Sequence, residues 1–180
     1  MVRTAMILAL ALAASGCGYN QLVSEREGVD ASWSEVENQL QRRNDLVPNL
    51  VSTVKGFAAQ EKDVLIRVTE ARSRVAGAGT PQQTMEASNQ LSSALSRLLL
   101  VVERYPDLKS NQNFLRLQDE LAGTENRLAV ARKRYNDAVR TFNTTAKKFP
   151  TNLMAGLFGF SVRDYFEAPE SAQEAPVVEF

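Results

Sequence analysis

A chain of 180 residues that is 44% hydrophobic has material for one domain with a real apolar core. Its 21 Lys and Arg balance its 21 Asp and Glu, so no strong net field draws it to nucleic acid, and no nucleic-acid partner is expected. Histidine is absent and cysteine occurs once, which removes the Cys and His ligand sets of zinc sites, a histidine general base and any intrachain disulfide. No metal or cofactor is expected. With only 9 Gly and 6 Pro in a chain rich in Leu, Ala, Gln, Glu and Arg, helix is favoured over sheet.

The chain opens with a cationic start at Arg3, an apolar run from Ala5 to Ala14, and the small residues Ala14, Ser15 and Gly16 before Cys17. This is the pattern of a secretory leader covering residues 1–16. As a helix, Thr4 to Gly16 would span about 20 Å, short of the roughly 30 Å hydrocarbon layer. The Gly-Cys step resembles the lipobox of bacterial lipoproteins, with Ala14 where leucine is usual. That resemblance implies cleavage before Cys17 and acyl chains on its thiol and amine, so that membrane lipid becomes the first partner. Two or three such chains anchor stably where one would not. The anchored body would face the periplasm or exterior. Gly18, standing where aspartate retains such proteins, points by analogy to an outer membrane if the cell has one. Cleavage by the ordinary signal peptidase, or an uncleaved short anchor, are the alternatives.

Beyond the leader, apolar residues recur at steps of three and four. Val29, Trp33, Val36, Leu40 and Val47 form one stripe, with Arg43 set into it; Val54, Ala58, Leu65, Val68 and Val75 form a second. Met85, Leu91, Leu95, Leu98 and Val102 form a third, and Phe114, Leu117, Leu121, Leu128, Tyr135 and Phe142 a fourth. Each stripe predicts an amphipathic helix. The first boundary is placed near residue 44, where Asn44 or Asp45 can cap and Pro48 falls in a first turn; one helix kinked at Pro48 is the alternative. Gly77 and Gly79 end the second helix, and Thr80, Pro81 and Gln83 start the third with a capping box. Tyr105-Pro106-Asp107 ends the third, Ser110 is the expected cap of the fourth, and Lys147 and Lys148 precede its stop at Phe149-Pro150.

Short connections between such helices predict an all-α, up-and-down antiparallel four-helix bundle over residues 17–166. The segment 150–166 is apolar without helical period, and residues 167–180 have the composition of a disordered tail. A long dimeric coiled coil is disfavoured by the breaks at residues 77–81 and 105–106.

Several runs then become recognisable: Gln39 through Val51, Tyr105-Pro-Asp-Leu-Lys109, Glu125-Asn126, Tyr135 through Val139, and Phe149-Pro150 with Phe158-Gly-Phe160. In that order they resemble the LemA family of bacterial proteins, over about Tyr19 to Phe166. The resemblance implies a four-helix bundle tethered to a membrane near its N-terminus, and it brings no catalytic residues. Members are usually described with an N-terminal membrane helix, whereas this leader ends in a lipobox.

Charged residues on the stripes are the candidate site. Arg43, Glu61 and Arg72 interrupt the first two stripes, and Gln118, Glu125 and Arg132 line one edge of the fourth. Such charges are either paired inside, fixing helix register, or they line a groove for a partner helix. Arg42, Arg43, Asp45 and Tyr105 form a candidate patch at one end, and Leu153, Leu157, Phe158 and Phe160 a candidate docking segment for membrane or protein. The expected function is a non-enzymatic envelope scaffold with an unidentified envelope protein partner, and self-association into a homo-oligomer is compatible with it. The alternative is a carboxylate-dependent envelope hydrolase, for which Glu61 and Glu125 would need to lie within about 10 Å beside a cleft.

Overall fold

The computed structural model describes residues 2–166, with side chains from Gly18 onward. The side chain of Cys17, where acylation is predicted, and the predicted tail over 167–180 lie outside what is described. Among the described residues the fold is all-α: α1 (Val2–Phe57), α2 (Lys62–Gly77), α3 (Pro81–Val102), α4 (Pro106–Lys109), α5 (Gln112–Lys147) and α6 (Thr151–Phe158). The chain forms two compact units. Among the described residues, unit 1 combines 2–36 with Ala131–Tyr165, and unit 2 combines Glu37–Val130 with Phe166. Both α1 and α5 contribute to each.

Unit 2 corrects the first predicted boundary. The α1 helix does not break near residue 44 but continues through Pro48 to Phe57, and the turn comes at residues 58–61. An interior proline lacks the N–H that would bond to the carbonyl four residues earlier, here Asn44. Arg72 of α2 supplies the missing donor, its Nε bonding to the Asn44 carbonyl at 3.1 Å. The helix therefore carries on because a neighbouring side chain does the work of the absent amide, a solution no local pattern announces.

The second boundary is as the sequence predicts. Thr80 has extended backbone, its hydroxyl accepts the Gln83 amide at 3.2 Å, and Pro81 opens α3. Gln83 Oε1 reaches back to the amide of Gly79 at 3.1 Å, one residue before the cap. At the start of α5 the cap is Asn111 and not Ser110: Asn111 Oδ1 accepts the amides of Asn113 and Phe114, while the Ser110 hydroxyl donates back to Pro106 and closes α4. The core of unit 2 draws Val47, Leu50 and Val54 from α1, Leu65, Val68 and Ala71 from α2, Leu91, Leu95, Leu98 and Val102 from α3, and Phe114 from α5. At about 1.5–3 kcal/mol per fully buried large side chain, this core is the main source of stability.

In unit 1, Leu22, Val29 and Val36 of α1 and Ala131, Tyr135, Val139 and Phe142 of α5 are buried. Trp33 and Tyr135 meet edge to face with ring centroids 5.3 Å apart. The run after Pro150, expected without helical period, forms α6. Gly159 ends it in the left-handed region at φ 72°, which a residue lacking Cβ adopts without strain, and the Ala155 carbonyl accepts the Phe160 amide at 2.9 Å. The chain beyond is tied to α5. Asn143 exchanges two bonds of 2.8 Å with the backbone of Arg163, and the Tyr135 hydroxyl donates to the Asp164 carbonyl at 3.0 Å.

Two measurements check these assignments. Arg72→Ala should lower unfolding free energy by about 1.5 kcal/mol, the range for a hydrogen bond from a charged donor. Pro48→Ala, which restores the backbone donor, should remove most of that loss in a urea-denaturation cycle; strictly additive effects would refute the substitution of side chain for amide. Burial raises the Tyr135 phenol above its ordinary value of 10.0, Arg163 opposes that rise, and Asp164 and Asp30 add to it. Folding therefore favours the neutral phenol: the stability it contributes is intact below pH 10 and is lost as pH rises through the folded value. Tyr135→Phe should cost about 1 kcal/mol near neutrality for the lost hydrogen bond and flatten the alkaline decline measured by thermal melts.

Candidate functional site

The charged stripe residues fall into separate clusters within unit 2. Arg43 is 5% exposed, its Nη1 lying 2.9 Å from Glu125 Oε2 of α5 and donating to Ser92 Oγ of α3 at 2.9 Å. Ser92 in turn donates to the Ser88 carbonyl at 3.1 Å. Burial pulls the Arg43 guanidinium below its ordinary pKa, and the Glu125 charge pulls it back up. Arg43 Nε and Asn44 Oδ1 lack a hydrogen-bond partner among the described residues, so this polar turn is held in place without being fully satisfied.

A second cluster gathers around Glu61, just before α2. The Tyr105 hydroxyl donates to Glu61 Oε1 at 2.7 Å and accepts from Gln60 Nε2 at 3.0 Å, while Arg104 reaches the same Glu61 oxygen at 3.0 Å. The bond to Glu61 is the first cause of a raised Tyr105 pKa. Arg43 meets α3 at Ser92, whereas Glu61 meets residues just past the end of α3 at Val102. The rise along α3 from Ser92 to Val102 is about 15 Å, so Glu61 and Glu125 belong to different levels.

The predicted end patch of Arg42, Arg43, Asp45 and Tyr105 is thereby corrected. Arg42 and Asp45 are exposed, with Asp45 accepting from Gln41 at 2.9 Å; Arg43 turns inward, and Tyr105 belongs with Glu61 at the other level. The difference is physical: a period of 3.6 keeps Arg42 and Asp45 about 60° apart on one side of the helix and turns Arg43 away from Asp45. Arg72 bonds the Asn44 carbonyl, and Arg132, in unit 1, is half-buried.

The docking segment also divides. Leu153 is 59% exposed, Leu157 74% and Phe158 54%, but Phe160 is half-buried, its ring 6.4 Å from that of Phe142 and capped by the Arg26 guanidinium at 5.4 Å. Tyr19 packs on both Phe158 and Phe160, with centroids 4.8 and 5.8 Å away.

One concave surface escaped the sequence reading. Between α2 and α3 runs an open groove of about 770 Å³, lined by Arg67, Arg74 and Arg97 together with Asp63, Glu70 and Glu86. Ile66, 53% exposed, adds an apolar point. These residues lie off the apolar stripes, and only the pairing of two particular helices brings them together. Ser92 and Asn44 were missed for a related reason: one contributes a hydroxyl and the other a backbone carbonyl, neither marked by periodicity.

A model of the LemA family matches residues 32–180, a span that takes in both clusters, the groove and α6. The chain belongs to the LemA family. It is 30% identical over 186 residues to magnetosome protein MamQ 2 of Paramagnetospirillum magneticum, an alignment covering 89% of this chain and 68% of that protein. Magnetosome protein MamQ of Magnetospirillum gryphiswaldense is 28% identical over the same shares. Protein LemA of Metamycoplasma hominis is 23% identical over 76% of this chain and 63% of its own length. Among the described residues of this LemA-family chain, no helix is long and apolar enough to cross a membrane, and no group of three or more Cys, Asp and Glu is arranged to hold a metal ion.

Truncating Arg43 leaves Glu125 without its 2.9 Å partner and opens a space beside Ser92. Arg43→Ala should destabilise by about 2 kcal/mol, below the ~3–5 kcal/mol of a fully buried pair, because the Glu125 side chain is 43% exposed. Glu125→Gln should cost less, and a double-mutant cycle by denaturant titration should return a positive coupling; zero coupling would exclude a register-fixing pair.

Proposed function

We propose that this LemA-family protein is a membrane-anchored envelope lipoprotein that acts as a non-enzymatic interaction module. The observation that carries the non-enzymatic part is the fate of the two inward carboxylates. Glu125 is engaged by Arg43, Glu61 by Arg104 and Tyr105, and the two sit at different levels of α3. A glycan-cleaving pair would need both beside one cleft, about 5–10 Å apart, with one free to give up a proton.

The anchoring part is supported by the leader and by Cys17, the sole cysteine, and by family membership. The groove between α2 and α3 is the partner surface of this reading. Its three arginines and three carboxylates give no net pull on a polyanion or polycation but can select a partner helix of matching alternating charge, with Ile66 as an apolar contact. The partner is thus an envelope protein presenting an amphipathic helix.

Intact-mass analysis of the native protein should find an N-terminal Cys17 carrying acyl chains; a native chain beginning elsewhere would end the lipoprotein reading. A photo-crosslinker at Ile66 in living cells should trap a distinct protein, and Arg67→Glu with Arg97→Glu should abolish that adduct, while Glu61→Gln leaves it unchanged. An adduct indifferent to the charge reversal would remove the groove from consideration.

A further inference from the structure

The outer side of α6 leaves several large apolar side chains of unit 1 open to solvent. Thr151, Met154 and Ala155 face inward: Ala155 is buried, and a Cβ on Gly18 would come within 3.1 Å of Thr151 Cγ2 and 4.0 Å of Met154 Cγ. Any Cβ there would be tight against Thr151, and the contact packs α6 against α1 at Gly18, where its described side chains begin. Leu153 and Leu157, four residues apart, stand on the opposite side at 59% and 74% exposure, with Phe149, just before the helix, at 80%; Phe158 lies on the inward side, its ring against Tyr19. Soluble surfaces seldom leave so many large apolar side chains together.

We propose that this side of α6 rests in the headgroup region of the lipid bilayer to which the chain is tethered. The inference builds on the anchored reading above, but it concerns different residues. Three observations select lipid as the occupant. From Phe149 to Val162 the chain carries no Asp, Glu, Lys or Arg, while Lys147, Lys148 and Arg163 flank it, the arrangement that places apolar groups among acyl chains and cations beside anionic headgroups. Gly18, packed on α6, is joined directly to Cys17 and through it to the apolar run Ala5–Ala14, so either an acyl anchor or a retained leader holds α6 next to a bilayer. With eight residues, α6 spans about 12 Å and cannot cross the membrane, so it lies along the interface. Insertion of Leu153, Leu157 and Phe149 would fix the orientation of unit 1 on the membrane, which a flexible lipid tether alone does not do.

The test uses the full chain carrying Cys17→Ser, which cannot be acylated and keeps its leader, reconstituted in phosphatidylcholine and phosphatidylglycerol vesicles. An environment-sensitive fluorophore is attached through Leu157→Cys or, as the control, through Ser34→Cys, an exposed position about 24 Å further along α1 from Gly18. The probe at 157 should shift to the blue on vesicles and be quenched several-fold more by lipid-borne quenchers than the probe at 34. Its shift should grow with the phosphatidylglycerol share, and Lys147→Gln with Lys148→Gln should remove that dependence. Equal, water-like emission at both sites would overturn the proposal. So would a blue shift at 157 that needs no vesicles and rises with protein concentration, which means a second copy of the chain, or one seen only in native membranes, which means a protein partner. Because acylation is absent throughout, failure here leaves the mass analysis of Cys17 to judge the anchor separately.

Discussion

The carbonyl of Asn44 is the point on which unit 2 turns. Pro48 deprives it of its helical donor, and the Nε of Arg72 takes that place from another helix. Arg43, one residue earlier, reaches Ser92 of α3 and Glu125 of α5. A single turn of α1 thus makes polar contacts with α2, α3 and α5. Apolar stripes alone allow helices to slide by a turn at modest cost, since one leucine can replace another in a greasy interface. Directional bonds at one level do not allow it.

This arrangement supplies specificity more than stability. Desolvating a guanidinium is expensive, and its recovery through one half-exposed carboxylate and a serine hydroxyl is incomplete, as the unpartnered Nε of Arg43 shows. The favourable free energy comes from the apolar residues shared among α1, α2, α3 and α5. The charges decide which of the similarly apolar packings is adopted.

Structure and proposed role meet in how the polar groups are used. The two carboxylates on the apolar stripes, Glu61 and Glu125, are engaged in ion pairs, and the proposed role rests on surfaces: a charge-alternating groove in unit 2 and an uncharged helix in unit 1. The two differ in kind. In the proposed reading the groove offers matched charges to a polypeptide, whereas the exposed side of α6 offers nothing directional and suits the interface of a bilayer.

Much of this was legible in the order of residues. Heptad-like spacing from Val29 to Phe142 announced an all-α fold, and of its apolar stripe positions only Trp33, Val75, Leu117 and Leu121 are less than fully buried. The Thr80 cap was readable because capping is chemistry between residues three apart, and the family was readable from runs of residues that resemble it in order. What local order could not convey was any outcome settled by a distant donor or a distant surface. Pro48 looked like a helix start because Arg72 is twenty-four residues away in sequence; α6 looked irregular because its inward side is defined by Gly18, at the far end of the chain. Periodicity records which side of a helix avoids water, whereas the partner of a buried charge or a freed carbonyl exists only once separate helices have been brought together.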